Sequence, residues 1–180
     1  VQNDFCEGGA LAVPEANSII PYINLLLEEN QYDEIILTQD WHPANHKSFA
    51  SQHEDKVPFD VIELNGTQQV LWPDHCVQGT KGTELHKDLK QNKISAIIRK
   101  GMNPNIDSYS GFFDVNKKNP TGLDGFLKDH NVTSVYICGL ADFTVSEKFH
   151  VQPELMYSSE GADDDFGISY LRLPIMAKYY

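Results

Sequence analysis

Glu34-Ile35-Ile36-Leu37-Thr38-Gln39-Asp40 is the stretch on which the fold turns. A short apolar run that stops at a carboxylate predicts a buried strand of a parallel sheet. The pattern returns twice: Ser95-Ala96-Ile97-Ile98-Arg99 stops at Lys100, and Thr133-Ser134-Val135-Tyr136-Ile137-Cys138 stops at Gly139. Two stretches have helical spacing instead. Residues 16–29 place Ile19, Ile20, Ile23, Leu26 and Leu27 on one face, with Asn17 and Ser18 available as caps and Pro21 tolerable in the first turn. Residues 123–130 form the second.

Strands alternating with helices predict an α/β domain, a Rossmann-like parallel sheet flanked by helices, whose chemistry lies beyond the carboxyl ends of the strands. The polar clusters fall at those ends. Residues 44–76 are long and irregular, which in a compact domain points to a functional loop.

The bulk properties narrow the function. The chain has 180 residues, 41% hydrophobic and 22% charged, enough for one domain with a core. Its formal charge of -12 leaves no basic stripe for phosphates, so nucleic acid is not expected as a partner; a small, weakly polar ligand is. Three scattered cysteines, Cys6, Cys76 and Cys138, make no C-x-x-C pair and no disulfide framework, which predicts a reducing, cytoplasmic setting. No apolar run is long enough for a membrane span, so no membrane partner is expected either.

Three clusters carry chemistry. Asp40 and His42 stand two apart at a strand end, so an extended backbone turns both to one side; His75 follows in Leu71-Trp72-Pro73-Asp74-His75-Cys76. Two imidazoles and a carboxylate suit a divalent metal, zinc before iron or manganese, with positions left open. From spacing alone, a turn-capping Asp40 with packing histidines is an equal reading. His46 and His53 are further candidates, with packing the stronger reading for both. Lys100, at the mouth of a strand and followed by Asp107-Ser108-Tyr109-Ser110, could hold an anion, although most lysines are simply solvated. Cys138-Gly139-Leu140-Ala141 runs from a strand into a turn whose N–H groups could face an oxyanion.

Val1-Gln2-Asn3-Asp4-Phe5-Cys6, Thr38-Gln39-Asp40-Trp41-His42-Pro43-Ala44-Asn45-His46, Trp72-Pro73-Asp74-His75-Cys76-Val77-Gln78 and Arg99-Lys100-Gly101 with Asp107-Ser108-Tyr109-Ser110 closely resemble, in order, the nicotinamidases of the isochorismatase-like cysteine hydrolase superfamily. The resemblance implies a six-stranded Rossmann-like sheet and hydrolysis of nicotinamide to nicotinate and ammonia. It makes Asp40, His42 and His75 the metal ligands, Lys100 the catalytic lysine, Phe5, Trp72 and Tyr109 the walls around a flat ring, and Ala141 a donor to the oxyanion hole. It leaves a homo-oligomer open.

The chain departs from the pattern at two places. The family's general-base aspartate would immediately precede Val1. Its nucleophilic cysteine would follow Gly-Leu-Ala, one variable residue, Asp and an aromatic residue; Gly139-Leu140-Ala141-Asp142-Phe143-Thr144-Val145 is one residue shorter and has Thr144 in that slot. Threonine needs a strong adjacent base to attack an amide. Cys138 is expected to be a small buried hydrophobe. The expected division is therefore a hydrolase domain over residues 1–145, with its first strand truncated, and a divergent tail over 146–180, the fold being incomplete at both ends. A shifted reading frame, a misjoined gene and an inactive paralogue all fit the tail. A non-catalytic module binding metal or nicotinamide is the rival function, and another isochorismatase-like hydrolase is the third.

Overall fold

The computed structural model describes residues 1–29 and 31–139, together with the backbone of three strands further on. In chain order the main elements are α1 (Ile20–Glu29), β1 (Ile36–Asp40), β2 (Val61–Leu64), β3 (Thr67–Val70), β4 (Ala96–Lys100), α2 (Leu123–Asp129), β5 (Phe143–Ser146), β6 (Phe149–Pro153) and β7 (Ile175–Tyr179). The parallel ladder joins β1 to β4, from Ile36 opposite Ala96 to Asp40 opposite Lys100. These are two of the three predicted strands, each displaced toward its polar end by one or two residues.

The third does not form as predicted. Residues 132–138 carry no ladder, although Tyr136 touches Tyr32 at 5.9 Å between ring centroids. Tyr136 and Ile137 are exposed, and so is Cys138, which was expected to be buried. A parallel strand obtains its hydrogen bonds from a distant partner, and apolar composition cannot supply one. For the same reason β4 is not buried on both faces: its residues alternate between partly covered and exposed, with Ile97 open to solvent. The parallel sheet thus has two strands among the described residues rather than six.

The helix predicted over 16–29 forms in two pieces. A 3-10 turn over Ala16–Ile19 feeds α1, with Pro21 in the first α turn, where a missing N–H costs nothing. Ile19 and Ile23 from this face pack on Leu89, with Val1, Leu27 and Leu85 around them.

Within the stretch read as an irregular loop lies a hairpin. β2 and β3 pair antiparallel across Asn65-Gly66, both at positive φ, the conformation a two-residue turn demands. Asn65-Gly66 between Val61-Ile62-Glu63-Leu64 and Thr67-Gln68-Gln69-Val70 was the missed signal. Beyond residue 142, β5, β6 and β7 form an antiparallel sheet in that order. Among the described residues no helix is long and apolar enough to cross a membrane.

The cysteines give a direct check. Burial raises all three thiols, but only Cys138 is exposed, so a short iodoacetamide pulse on the native chain should label Cys138 first, through access. Equal labelling of all three, read by peptide mass spectrometry, would contradict this packing.

Candidate active site

The β1–β4 register decides the centre of the site. Asp40 and Lys100 end their strands as direct neighbours, and the carboxylate Oδ1 lies 2.5 Å from the ammonium Nζ. A second Lys100 proton goes to the Ser108 carbonyl at 2.8 Å. Burial alone would raise the Asp40 carboxyl, but His42 and Lys100 beside it outweigh that and hold it well below the usual carboxylate range. Asp40 is therefore an anion at any ordinary pH.

His42 follows on an irregular continuation of β1. Its N–H donates to the Cys76 carbonyl at 3.0 Å, and its carbonyl accepts from Gln78 N–H at 2.8 Å. This short parallel bridge draws the His75 loop against β1. The two imidazoles sit edge to face with centroids 5.0 Å apart, and His42 Nε2 is 3.7 Å from Asp40 Oδ2.

His42 Nδ1 meets the Gly101 carbonyl at 2.9 Å, and His75 Nδ1 meets the Pro73 carbonyl at 2.8 Å. A carbonyl accepts only, so each Nδ1 carries the proton and each Nε2 keeps its lone pair. Both rings are nearly inaccessible, and burial lowers the His75 pKa, favouring the neutral imidazole that metals bind. Asp40, His42 and His75 each bring one ligand atom within 4.8 Å of the others. The Gly101 and Pro73 carbonyls that orient the two imidazoles are outer partners of the kind that fix histidine ligands around a divalent cation.

Gly101 supports His42 in a way no other residue could. A Cβ there would lie 2.3 Å from His42 Cε1, and φ is +66°. Gly101→Ala is expected to push the ring off its carbonyl and weaken binding of cobalt(II), measured by its visible absorption, by roughly tenfold or more, the scale typical of outer-shell changes. Unchanged affinity would show that the ring has room to move.

The remaining histidines divide as packing predicts. His53 Nε2 donates to the Lys47 carbonyl at 2.8 Å. His46 Nδ1 accepts from the Ser48 backbone N–H at 3.2 Å and lies 2.7 Å from the Ser48 hydroxyl. Burial, then His42 at 4.6 Å between centroids, push His46 down to about 4. Phe49, wholly buried, lies 5.5 to 5.6 Å from His42, His46 and His75 and props all three rings.

Asp40, His42, His75 and Lys100 open into a cavity of about 190 Å³, room for a small ring compound when one water takes about 30 Å³. Phe5 and Trp72 wall it. Phe5 stands 5.6 Å from the His75 ring, and Trp72 crosses Tyr109 at 6.5 Å and 76°. Exposed Tyr109 is held by its hydroxyl, which accepts from Trp72 Nε1 at 3.2 Å and Gln69 Nε2 at 3.0 Å. Gln69 also donates to buried Asp107 at 3.0 Å.

The structure thus brings seven of the predicted residues together: Phe5, Asp40, His42, Trp72, His75, Lys100 and Tyr109 all line one cavity. Ala141 lies outside the described residues. Thr144 belongs to β5, its side chain likewise outside them. Leu11, Asp107 and Ser108 also line the cavity; the last two stand in the motif after Lys100 but were not singled out as site residues. Asp107 could have been found from its place two residues before Tyr109; Leu11 has no such signal. Cys76 is no rival nucleophile. Burial, then Asp40 and Asp4, raise its thiol far from the thiolate range.

Comparison with known proteins gives a consistent picture. A family model described as the isochorismatase domain matches residues 1–142. A nicotinamidase of Escherichia coli (strain K12) is 48% identical over 143 residues, covering 78% of this chain and 67% of its own. One from Acinetobacter baylyi is 53% identical over 147 residues, covering 81% and 68%. Among solved structures, an Acinetobacter baumanii nicotinamidase and pyrazinamidase superposes with a TM-score of 0.75 at 50% identity, over 78% of this chain and 67% of that one. A Pyrococcus horikoshii pyrazinamidase in complex with zinc does so at 0.56 and 38%, over 78% and 66%.

Proposed function

The chain belongs to the isochorismatase domain family, and from that premise we propose that it is an amide hydrolase of the nicotinamidase type, converting nicotinamide to nicotinate and ammonia in pyridine-nucleotide salvage. The observation that carries this reading is the single cavity in which Asp40, His42, His75 and Lys100 face the aromatic walls Phe5 and Trp72. The donor set is that of a divalent metal site, and zinc is our choice, supported by the zinc complex of the Pyrococcus relative. When bound, the ion would supply a positive point that draws a ring nitrogen.

The chain's own residues do the rest. Phe5 and Trp72 sandwich the ring, and Tyr109, pinned by Trp72 and Gln69, closes its outer edge. Lys100 keeps a positive charge at the cavity, where negative charge must develop as an amide is attacked. Its position is fixed by Asp40 and the Ser108 carbonyl, so little reorganisation is needed. In this reading Ala141 lends a backbone N–H to the oxyanion, Thr144 occupies the nucleophile's slot, and the hydrolase domain spans residues 1–145 with 146–180 as a divergent tail.

Thr144 also favours a second reading, in which the chain binds metal and nicotinamide without turning the amide over, because a hydroxyl is a far weaker nucleophile than a thiolate. Ammonia release from nicotinamide separates the two. The chain should be assayed beside a version carrying aspartate before Val1 and the Ala-x-Asp-Phe-Cys-Val turn. Release by both would make Thr144 or Cys138 the nucleophile; release by the rebuilt version alone would make this chain a binder. Release by neither would refute the nicotinamidase reading.

A further inference from the structure

Asp40 needs more than its side-chain neighbours to stay in place, because it is the last residue of a strand. On one edge β4 holds the chain: Trp41 N–H donates to the Lys100 carbonyl at 3.0 Å. Backbone groups alternate direction along a strand, so the N–H and carbonyl of Asp40 itself face the opposite edge. Among the described residues they meet no strand there. They meet the carboxamide of Gln2, whose Oε1 accepts from Asp40 N–H at 2.8 Å and whose Nε2 donates to the Asp40 carbonyl at 2.8 Å. The second Nε2 proton reaches the Thr83 carbonyl at 3.1 Å. Gln2 is 3% exposed, so the N–H and carbonyl of Asp40 would be left without these partners if it were removed.

We infer that Gln2 is a positioning residue for the Asp40 carboxylate, its side-chain amide acting as a one-residue strand that clamps the backbone of Asp40 and fixes where its carboxylate meets His42 and His75. A carboxamide is the one side chain that presents a donor and an acceptor in the geometry of a peptide group, which is what a ladder position demands. Gln2 is itself anchored, by an antiparallel bridge to Leu85 and by Asn3 N–H donating to the Glu84 carbonyl at 2.9 Å. The clamp therefore ties β1 to the 80–85 segment. The inference rests on the metal reading of Asp40, His42 and His75.

A neighbouring glutamine provides the control. Gln39 is also buried and its side chain also donates to the Thr83 carbonyl, at 2.8 Å, while its Oε1 accepts from Arg99 Nε at 3.3 Å; neither bond goes to the backbone of Asp40. Cobalt(II) should be titrated into the full chain and its Gln2→Ala, Gln2→Glu, Gln39→Ala and Asp40→Ala variants, following visible absorption, with thermal melting alongside. Gln2→Ala is expected to weaken cobalt at least tenfold, as outer-shell changes do. Gln39→Ala should lower the melting temperature with affinity unchanged. Gln2→Glu keeps the acceptor for Asp40 N–H but turns an acceptor oxygen toward the Asp40 and Thr83 carbonyls, so its affinity should fall at least as far as that of Gln2→Ala; it carries the test should the alanine variant fail to fold.

Wild-type affinity in either Gln2 variant, or an equal loss in Gln39→Ala, overturns the inference while leaving the metal site standing. Cobalt bound equally by wild type and Asp40→Ala removes the metal reading, and the inference with it.

Discussion

Asp40→Ala is expected to abolish metal binding and to destabilise the chain together. Changes outside the ligand shell already cost 10–100-fold in affinity, so deleting the only carboxylate of the set should cost more than about 100-fold, read by cobalt(II) titration. The stability loss has another origin. Lys100 has 15% of its side chain exposed and keeps only the Ser108 carbonyl once Asp40 is gone. Breaking a buried pair costs roughly 3–5 kcal/mol, and the residual exposure brings the expectation to about 2–3 kcal/mol by urea denaturation. A variant as stable as wild type would show that the pair contributes nothing net.

The same pair sets an acid limit. The Asp40 carboxyl titrates lower in the folded chain than in the unfolded one, where it stays near 3.8. Between those values the unfolded state binds more protons, so stability rises with pH. The contribution is complete above about pH 4 and is lost as pH falls through the folded value. Asp40→Asn should flatten that acid limb and leave the neutral and alkaline profile alone.

Phe49→Ala is the second large effect. The ring is wholly buried, and its removal leaves a void on which the three histidine rings converge. Large core aromatics cost about 3–5 kcal/mol when cut to alanine, which for a chain of this size lowers the melting temperature by roughly 6–20 °C. Phe49→Leu should lose much less, because it refills most of the space. Losing stability with cobalt affinity intact would mean that Phe49 supports the core and not the rings.

Asp40, Lys100 and the helix over 123–129 were legible because each depends on neighbours in sequence: an apolar run that stops at a charge, or a face that repeats every turn. The grouping of Asp40, His42 and His75 was legible through its motifs. The contact between Asp40 and Lys100 was not, since it follows from the β1–β4 register, a non-local pairing that neither strand encodes alone. Residues 133–138 show the converse: a stretch more apolar than β1, with no ladder. Gln2 read as part of a motif and turned out to clamp a backbone, a role visible only once Asp40's unpaired edge is known. Asn65-Gly66 was readable and went unread amid the polar residues around it.

The parallel register has an evolutionary corollary. Because Asp40 and Lys100 meet through the ladder itself, the chain that leaves β1 and returns to β4 can lengthen, shorten or change its hairpin without separating acid from base. A one-residue slip inside β4 would instead turn Lys100 to the other face of the sheet. Insertions should therefore be tolerated at the β2–β3 turn, away from His42 and His75, and purged within β1 and β4. Trp72 sits on that excursion, so ligand preference is free to drift while the charged pair stays fixed.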